Sequence, residues 1–187
     1  DEVAVARAFG VASCSVDCAR ELEKLECLPR ATEIAVRLAL PVPGAAYDFG
    51  DKFGLDPERA AVLLRQVAER GFVPAITFHP GTQCADPRAW GAYIEAAAKV
   101  ARAADVRIAR LNVGGGFASH RGGAAPDLEA IFAHIRAVTE RSFGGQAPGL
   151  VCEPGRAMVA DALTLATRVK ALRACGAVFL NDGIYGG

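Results

Sequence analysis

His79, Glu153 and Arg156 each stand just past an apolar run, and a further run, LNV, ends in three glycines, Gly114, Gly115 and Gly116. An imidazole, a carboxylate and a guanidinium can move protons, hold a cation or grip an anion. Consecutive glycines leave backbone N–H groups bare enough to converge on phosphate oxygens. Thr82 adds a hydroxyl three residues after His79, and Gly155 adds a second bare backbone position beside Arg156. Arg37 lies inside the apolar run IAVRLAL, and a guanidinium placed there requires a partner, for which a carboxylate or a phosphate would serve. Taken singly, each residue also fits a plain structural role: a tight turn for the glycines, a satisfied core position for His79, a cap for Glu153. Their common place at strand ends carries the chemical reading.

The elements that must position these groups follow from periodicity. Residues 2–9 read as a helix, and VASCSVD as an extended segment whose Asp17 caps a second helix, CARELEKLECL. Apolar runs at 34–40, 72–79, 107–113 and 150–153 read as further strands. Asp56–Pro57 and Asp86–Pro87 each combine a capping carboxylate with an N1 proline, and a helix begins near Asp127. Ala60, Leu63, Leu64 and Val67 keep helical spacing, as do Trp90, Tyr93, Ile94 and Ala97, and then Leu128, Ile131, Phe132 and Ile135. Apolar strands alternating with amphipathic helices imply a parallel sheet with right-handed crossovers. In a parallel barrel the C-terminal strand ends share one mouth, which gathers the groups above. Beyond residue 158 the pattern changes. DALTLATRVKAL and AVFLND are β-prone with only RACG between them, too short for a crossover helix, so an antiparallel pair is expected. The expected fold is α/β: a partial (β/α)8 TIM-type barrel over residues 1–158, with about five β/α units, and the start of a β-sheet domain over 159–187.

Bulk properties exclude several classes. Twenty-one basic and 21 acidic residues cancel, which leaves no footprint for nucleic acid or an anionic membrane. No apolar stretch is long enough for a membrane span, and no secretory signal is visible. The cysteines (Cys14, Cys18, Cys27, Cys84, Cys152 and Cys175) form no C-x-x-C pair and no zinc-like spacing, so we expect no metal and a cytoplasmic setting with reduced thiols.

Four ordered motifs, FHPGTQCADP, LNVGGGF, CEPGR and LNDGIYGG, resemble those of the fold-type III pyridoxal-phosphate decarboxylases, and the ending is nearer the ornithine/lysine branch than the diaminopimelate branch. The resemblance covers essentially the whole chain. It implies pyridoxal 5′-phosphate as cofactor, a basic amino acid as substrate (ornithine, giving putrescine for polyamine biosynthesis, before lysine, arginine or diaminopimelate), and a homodimer for the complete protein. It also implies roles. Gly114, Gly115 and Gly116 would cradle the phosphate, with Gly155, Arg156 and Thr82 completing that site. Glu153 would pair with the pyridine nitrogen and His79 would stack on the ring. Asp182, with Asn181 beside it, would attract the distal ammonium, and Arg37 would lie near the cofactor.

The family's Schiff-base lysine belongs to the first barrel strand, upstream of these motifs. Lys24 and Lys99 fall in expected helices, Lys52 in a loop and Lys170 in the β region, so none substitutes for it. The chain is therefore expected to be an internal portion of such an enzyme, inactive alone and with two open sheet edges. A non-catalytic homologue with a binding or regulatory role, and an ordinary phosphate-binding barrel, are the other readings.

Overall fold

Five short apolar strands, β1 (Ser13–Val16), β2 (Glu33–Arg37), β3 (Val73–Thr77), β4 (Arg110–Asn112) and β5 (Gly149–Val151), line up in chain order. Every neighbouring pair is parallel. The computed structural model describes residues 2–42, 53–120 and 125–183. Consecutive parallel strands need crossovers, and helices supply them: α1 (Glu2–Ala8) precedes β1, while α2 (Ala19–Lys24), α3 (Pro57–Glu69), α4 (Pro87–Ala104) and α5 (Leu128–Phe143) fill the intervals. The result is an arc of the expected (β/α) barrel type, with β1 and β5 each paired on one side.

The helices start where their capping residues stand. Asp56 accepts from the Arg59 N–H at 3.0 Å, Asp86 from Arg88 at 2.9 Å and Asp127 from Ala130 at 2.9 Å. Asp17 behaves differently from the sequence expectation. Cys18 occupies the cap position of α2 without a side-chain bond, and Asp17 accepts instead from the Gly54 N–H at 3.2 Å. A contact 37 residues away in sequence took the carboxylate that the local pattern assigned to the helix. The expected helical faces are buried: Ala60, Leu63, Leu64 and Val67 on α3, Trp90, Tyr93, Ile94 and Ala97 on α4, and Ile131 and Ile135 on α5. They join Ile34, Val36, Ile76 and Leu111 of the sheet in a single core. Trp90 anchors it, fully buried, with its indole N–H donating to the Val113 carbonyl at 3.2 Å.

Several strands are shorter than expected. β2 stops at Arg37 rather than residue 40, and Leu38 continues only as an isolated bridge to Leu55. Leu38 N–H still donates to the Thr77 carbonyl at 2.9 Å, but residues 39–40 leave the ladder, Ala39 N–H bonding the Leu55 carbonyl and Tyr93 clasping Leu40 through both its N–H and its carbonyl.

Contacts divide the chain into Asp1–Ala157 and Met158–Gly187. In the second unit β6 (Val169–Leu172) and β7 (Val178–Leu180) pair antiparallel, as expected, around a turn closed by Arg173 and Ala177. Residues 161–167 of the β-prone run form no strand. A one-turn helix, α6 (Arg156–Val159), follows the CEPG segment. No helix among the described residues is long and apolar enough to cross a membrane.

Candidate active site

The parallel register sets up a row. Arg37 of β2 is the partner of Thr77, Thr77 of Asn112, and Asn112 of Val151. Two residues past that row come His79, Gly114 and Glu153. Ladder-like bonds carry the order outward: Phe78 N–H to the Asn112 carbonyl at 3.1 Å, Val113 N–H to Val151 at 2.8 Å, and Glu153 N–H to Gly114 at 2.8 Å. The C-terminal ends of three adjacent strands thus bring the imidazole, the glycine run and the carboxylate together.

The three glycines are required by the protein's own backbone. A Cβ on Gly114 would fall on the Phe78 carbonyl oxygen, and one on Gly116 on the Gly81 carbonyl oxygen. At Gly115 it would lie 2.5 Å from the Glu153 carbonyl oxygen and 3.2 Å from His79 Nε2. Gly114 and Gly116 also adopt φ of 68° and 81°, a region that side chains disfavour. The loops after β3, β4 and β5 approach one another so closely that only bare backbone fits between them.

That packing orients His79. Its Nδ1 accepts from the Gly81 N–H at 3.1 Å, so the neutral ring carries its proton on Nε2, the nitrogen directed at the Gly115 side. The loop holding His79 and Thr82 is itself pinned. Cys84 N–H donates to the Gly116 carbonyl at 2.8 Å. Gln83, at φ 52°, uses its side-chain amide as a strand would use its backbone, accepting from Ser119 N–H at 3.0 Å and donating to the Ser119 carbonyl at 3.2 Å.

Arg156 reaches back across the rim, its Nη2 donating to the Thr82 hydroxyl at 3.0 Å. Glu153 accepts at Oε1 from the Asn112 side-chain amide at 2.5 Å. Arg37 ends β2, half-buried, with its guanidinium 4.8 Å from the centre of the Phe53 ring. Burial pushes it below the ordinary arginine value, and the nearby Tyr93 and Glu153 oppose that shift. Glu153 contributes to its electrostatic surroundings without forming an ion pair with it. Asn181 and Asp182 belong to the second unit. Asn181 Oδ1 accepts from Arg168 N–H at 2.7 Å, and Asp182 Oδ1 from Gly183 N–H at 2.9 Å. Lys52 and the Ile184–Gly187 end of the last motif lie outside the described residues.

The rim suits a phosphorylated ligand with a basic ring nitrogen. Among the described residues the N–H groups of Gly115, Gly116 and Gly155 have no protein acceptor, and they accompany a guanidinium and a hydroxyl. Gly114, expected to share in the phosphate cradle, does not: its N–H is taken by Asn112 Oδ1 at 2.9 Å. A Cβ on Gly155 would meet no atom within 4 Å, so this glycine leaves open space beside Arg156 instead of relieving a clash. A cavity of about 470 Å³ between the C-terminal ends of α4 and α5 lies at the opposite end of the strands, away from these groups. Asn112, Gln83 and Ser119 were missed from sequence. Only Asn112 carried a signal, as a polar residue between Leu111 and Val113.

Residues 1–160 match the pyridoxal-dependent decarboxylases over their pyridoxal binding domain. The chain belongs to that family. Decarboxylase flvG of Aspergillus flavus is 30% identical over 197 residues, covering 97% of this chain and 44% of that protein. The chloroplastic ornithine decarboxylase of Nicotiana glauca is 31% identical over 195 residues, covering 99% and 44%. Among solved structures, the arginine decarboxylase of Paramecium bursaria Chlorella virus superposes with a TM-score of 0.80 at 25% identity, over 100% of this chain and 52% of that one. The lysine/ornithine decarboxylase of Vibrio vulnificus complexed with putrescine gives 0.74 at 27%, over 98% and 50%. The chain spans about half the length of the relatives it matches.

Proposed function

We propose that this chain forms the coenzyme-gripping arc of an enzyme that decarboxylates a basic amino acid, ornithine foremost. The carrying observation is the row of His79, Gly114 and Glu153, two residues past one register line, with Arg156 and Thr82 joined beside it. Residues 1–158 act as the barrel portion and 159–187 as the opening of a β domain, within a homodimeric whole protein.

Arg156, the Thr82 hydroxyl and the N–H groups of Gly115, Gly116 and Gly155 hold the phosphate of pyridoxal 5′-phosphate. Charge-assisted bonds from a guanidinium are the strongest of these. His79, fixed by Gly81, offers a flat aromatic surface to the pyridine ring. Glu153 holds a proton at the ring nitrogen, where a carboxylate favours the charged form. The bound group supplies an electron sink for loss of the α-carboxylate as CO₂. Asp182 and Asn181 keep the role that the resemblance implies, attraction of the distal ammonium. Ornithine is favoured because ornithine decarboxylases of several organisms are about 30% identical to this chain.

Two measurements test the reading. Pyridoxine 5′-phosphate lacks the aldehyde and so cannot attach to surface lysines; the chain is expected to bind it saturably, with inorganic phosphate competing. Absence of such binding would refute the coenzyme assignment. For substrate, CO₂ release by the whole protein is compared for ornithine, lysine and arginine. The highest kcat/KM is expected with ornithine, and a lead for another amino acid reassigns the substrate. The chain alone is expected to release none, since Lys24 and Lys99 sit in helices and Lys170 in β6.

A further inference from the structure

We infer that Asn112 is a positioning residue that locks the glycine loop and the Glu153 carboxylate at a fixed separation, an inference resting on the coenzyme site proposed above. Its side-chain amide works in both directions at once. Nδ2 donates to Glu153 Oε1 at 2.5 Å, bridging 41 residues of sequence, and Oδ1 accepts from the Gly114 N–H at 2.9 Å. The two partners determine the amide's orientation. Turned over, it would set an oxygen against a carboxylate and an NH₂ group against an N–H.

No other residue type of this size does both tasks. Aspartate would still accept from Gly114, but it would place a second negative charge within hydrogen-bond distance of Glu153. Alanine or leucine would leave the Gly114 N–H, at a buried backbone position, without its acceptor. Glu153 is exposed at the rim, so the Asn112 bond holds its side chain in place. The same bond ties that carboxylate to the first residue of the loop whose next two N–H groups face no protein acceptor among the described residues. One amide thereby sets the distance between the group that meets the ring nitrogen and the groups that meet the phosphate.

The test compares wild type, Asn112→Ala, Asn112→Asp, and the exchange variant Asn112→Asp with Glu153→Gln. Two quantities are read on each: hydrogen exchange of the Gly114 amide in the ligand-free chain, and affinity for pyridoxine 5′-phosphate against unphosphorylated pyridoxine. Asn112→Ala is expected to speed Gly114 exchange and to weaken pyridoxine 5′-phosphate about tenfold or more. Asn112→Asp is expected to weaken binding comparably near neutral pH and to recover as the pH falls, because one proton shared between two carboxylates restores the donor. The exchange variant swaps donor and acceptor across the bridge. It is expected to keep Gly114 exchange slow, because an aspartate at 112 still accepts from that N–H, while leaving affinity low, since Glu153→Gln removes the charge that faces the ring nitrogen. Unchanged exchange and unchanged affinity in Asn112→Ala would overturn the inference and leave the coenzyme reading intact. Loss of pyridoxine 5′-phosphate binding in wild type would overturn the coenzyme reading itself, with the Gly114 exchange rates still reporting whether the bridge exists.

Discussion

The two ends of the parallel strands are built from different chemistry. At the N-terminal ends charges are paired off. Glu33 meets Arg110 at 3.3 Å and the Ser13 hydroxyl at 2.9 Å, and Glu26 meets both Arg30 and Arg70. Arg65 of α3 donates to the last carbonyls of α4, and Arg102 of α4 to the Ser142 carbonyl of α5, so each helix is closed by the one before it. At the C-terminal ends the bonds are made by backbone, amides and an imidazole, with Glu153 accepting from an amide and Arg156 donating to a hydroxyl. One end uses its charges to hold the arc together; the other, apart from the local Asp86–Arg88 pair at the start of α4, leaves Arg37 and Arg156 without ion pairs among the described residues. That division is the one expected of a β/α barrel.

The sharpest break of this comparison comes from the glycines. Gly114→Ala and Gly116→Ala each add a Cβ onto a backbone oxygen and force an alanine into positive φ. Each is expected to cost about 3–5 kcal/mol in chemical denaturation. Gly155→Ala meets nothing and is expected to stay within about 0.5 kcal/mol of wild type while weakening pyridoxine 5′-phosphate. Equal stability of all three variants would show that the rim loops are not packed as described. Arg156→Ala comes next: a loss of about 10- to 100-fold in pyridoxine 5′-phosphate affinity, with the pyridoxine affinity and Tm nearly unchanged.

The middle of the scale is set by Asp86, which caps α4 below the site loop. Its carboxyl lies below the ordinary carboxylate value, held there first by side-chain bonds from Arg88 and then by the Arg88 N–H. Asp86→Ala is expected to cost about 1 kcal/mol, the usual worth of a cap. Because the unfolded carboxyl takes up its proton first, this contribution is complete above about pH 4 and fades as pH falls through the lower folded value. The difference between wild type and Asp86→Ala in urea midpoint should therefore close on acidification. A difference that persists to strongly acid pH would count against the cap.

Most of the scaffold was legible because it is local. Asp56–Pro57, Asp86–Pro87 and Asp127 mark helix starts by residues that act within three positions. The five strands were visible as apolar runs between those helices. The illegible parts depend on partners distant in sequence. Asp17 is taken by Gly54, β2 is cut short by Leu55 and Tyr93, and Asn112 finds Glu153 only because β4 and β5 are in register. The glycine run was conspicuous, yet its steric cause, the carbonyls of Phe78, Gly81 and Glu153, needs three strand ends placed side by side.

The smallest expected effect tests the other half of the comparison. Arg110 is half exposed, while its partner Glu33 is nearly buried and keeps the Ser13 hydroxyl when Arg110 is removed. Arg110→Ala is therefore expected to cost about 0.5 kcal/mol, less at high salt, because an ion pair with one solvent-exposed member is screened and its carboxylate retains a donor. Affinity for pyridoxine 5′-phosphate should not change, since Arg110 opens the strand whose far end carries Asn112 and the glycines. If Arg110→Ala weakened the ligand as much as Arg156→Ala, the two strand ends would be energetically coupled through β4, and charge pairing at one end would be part of the site at the other.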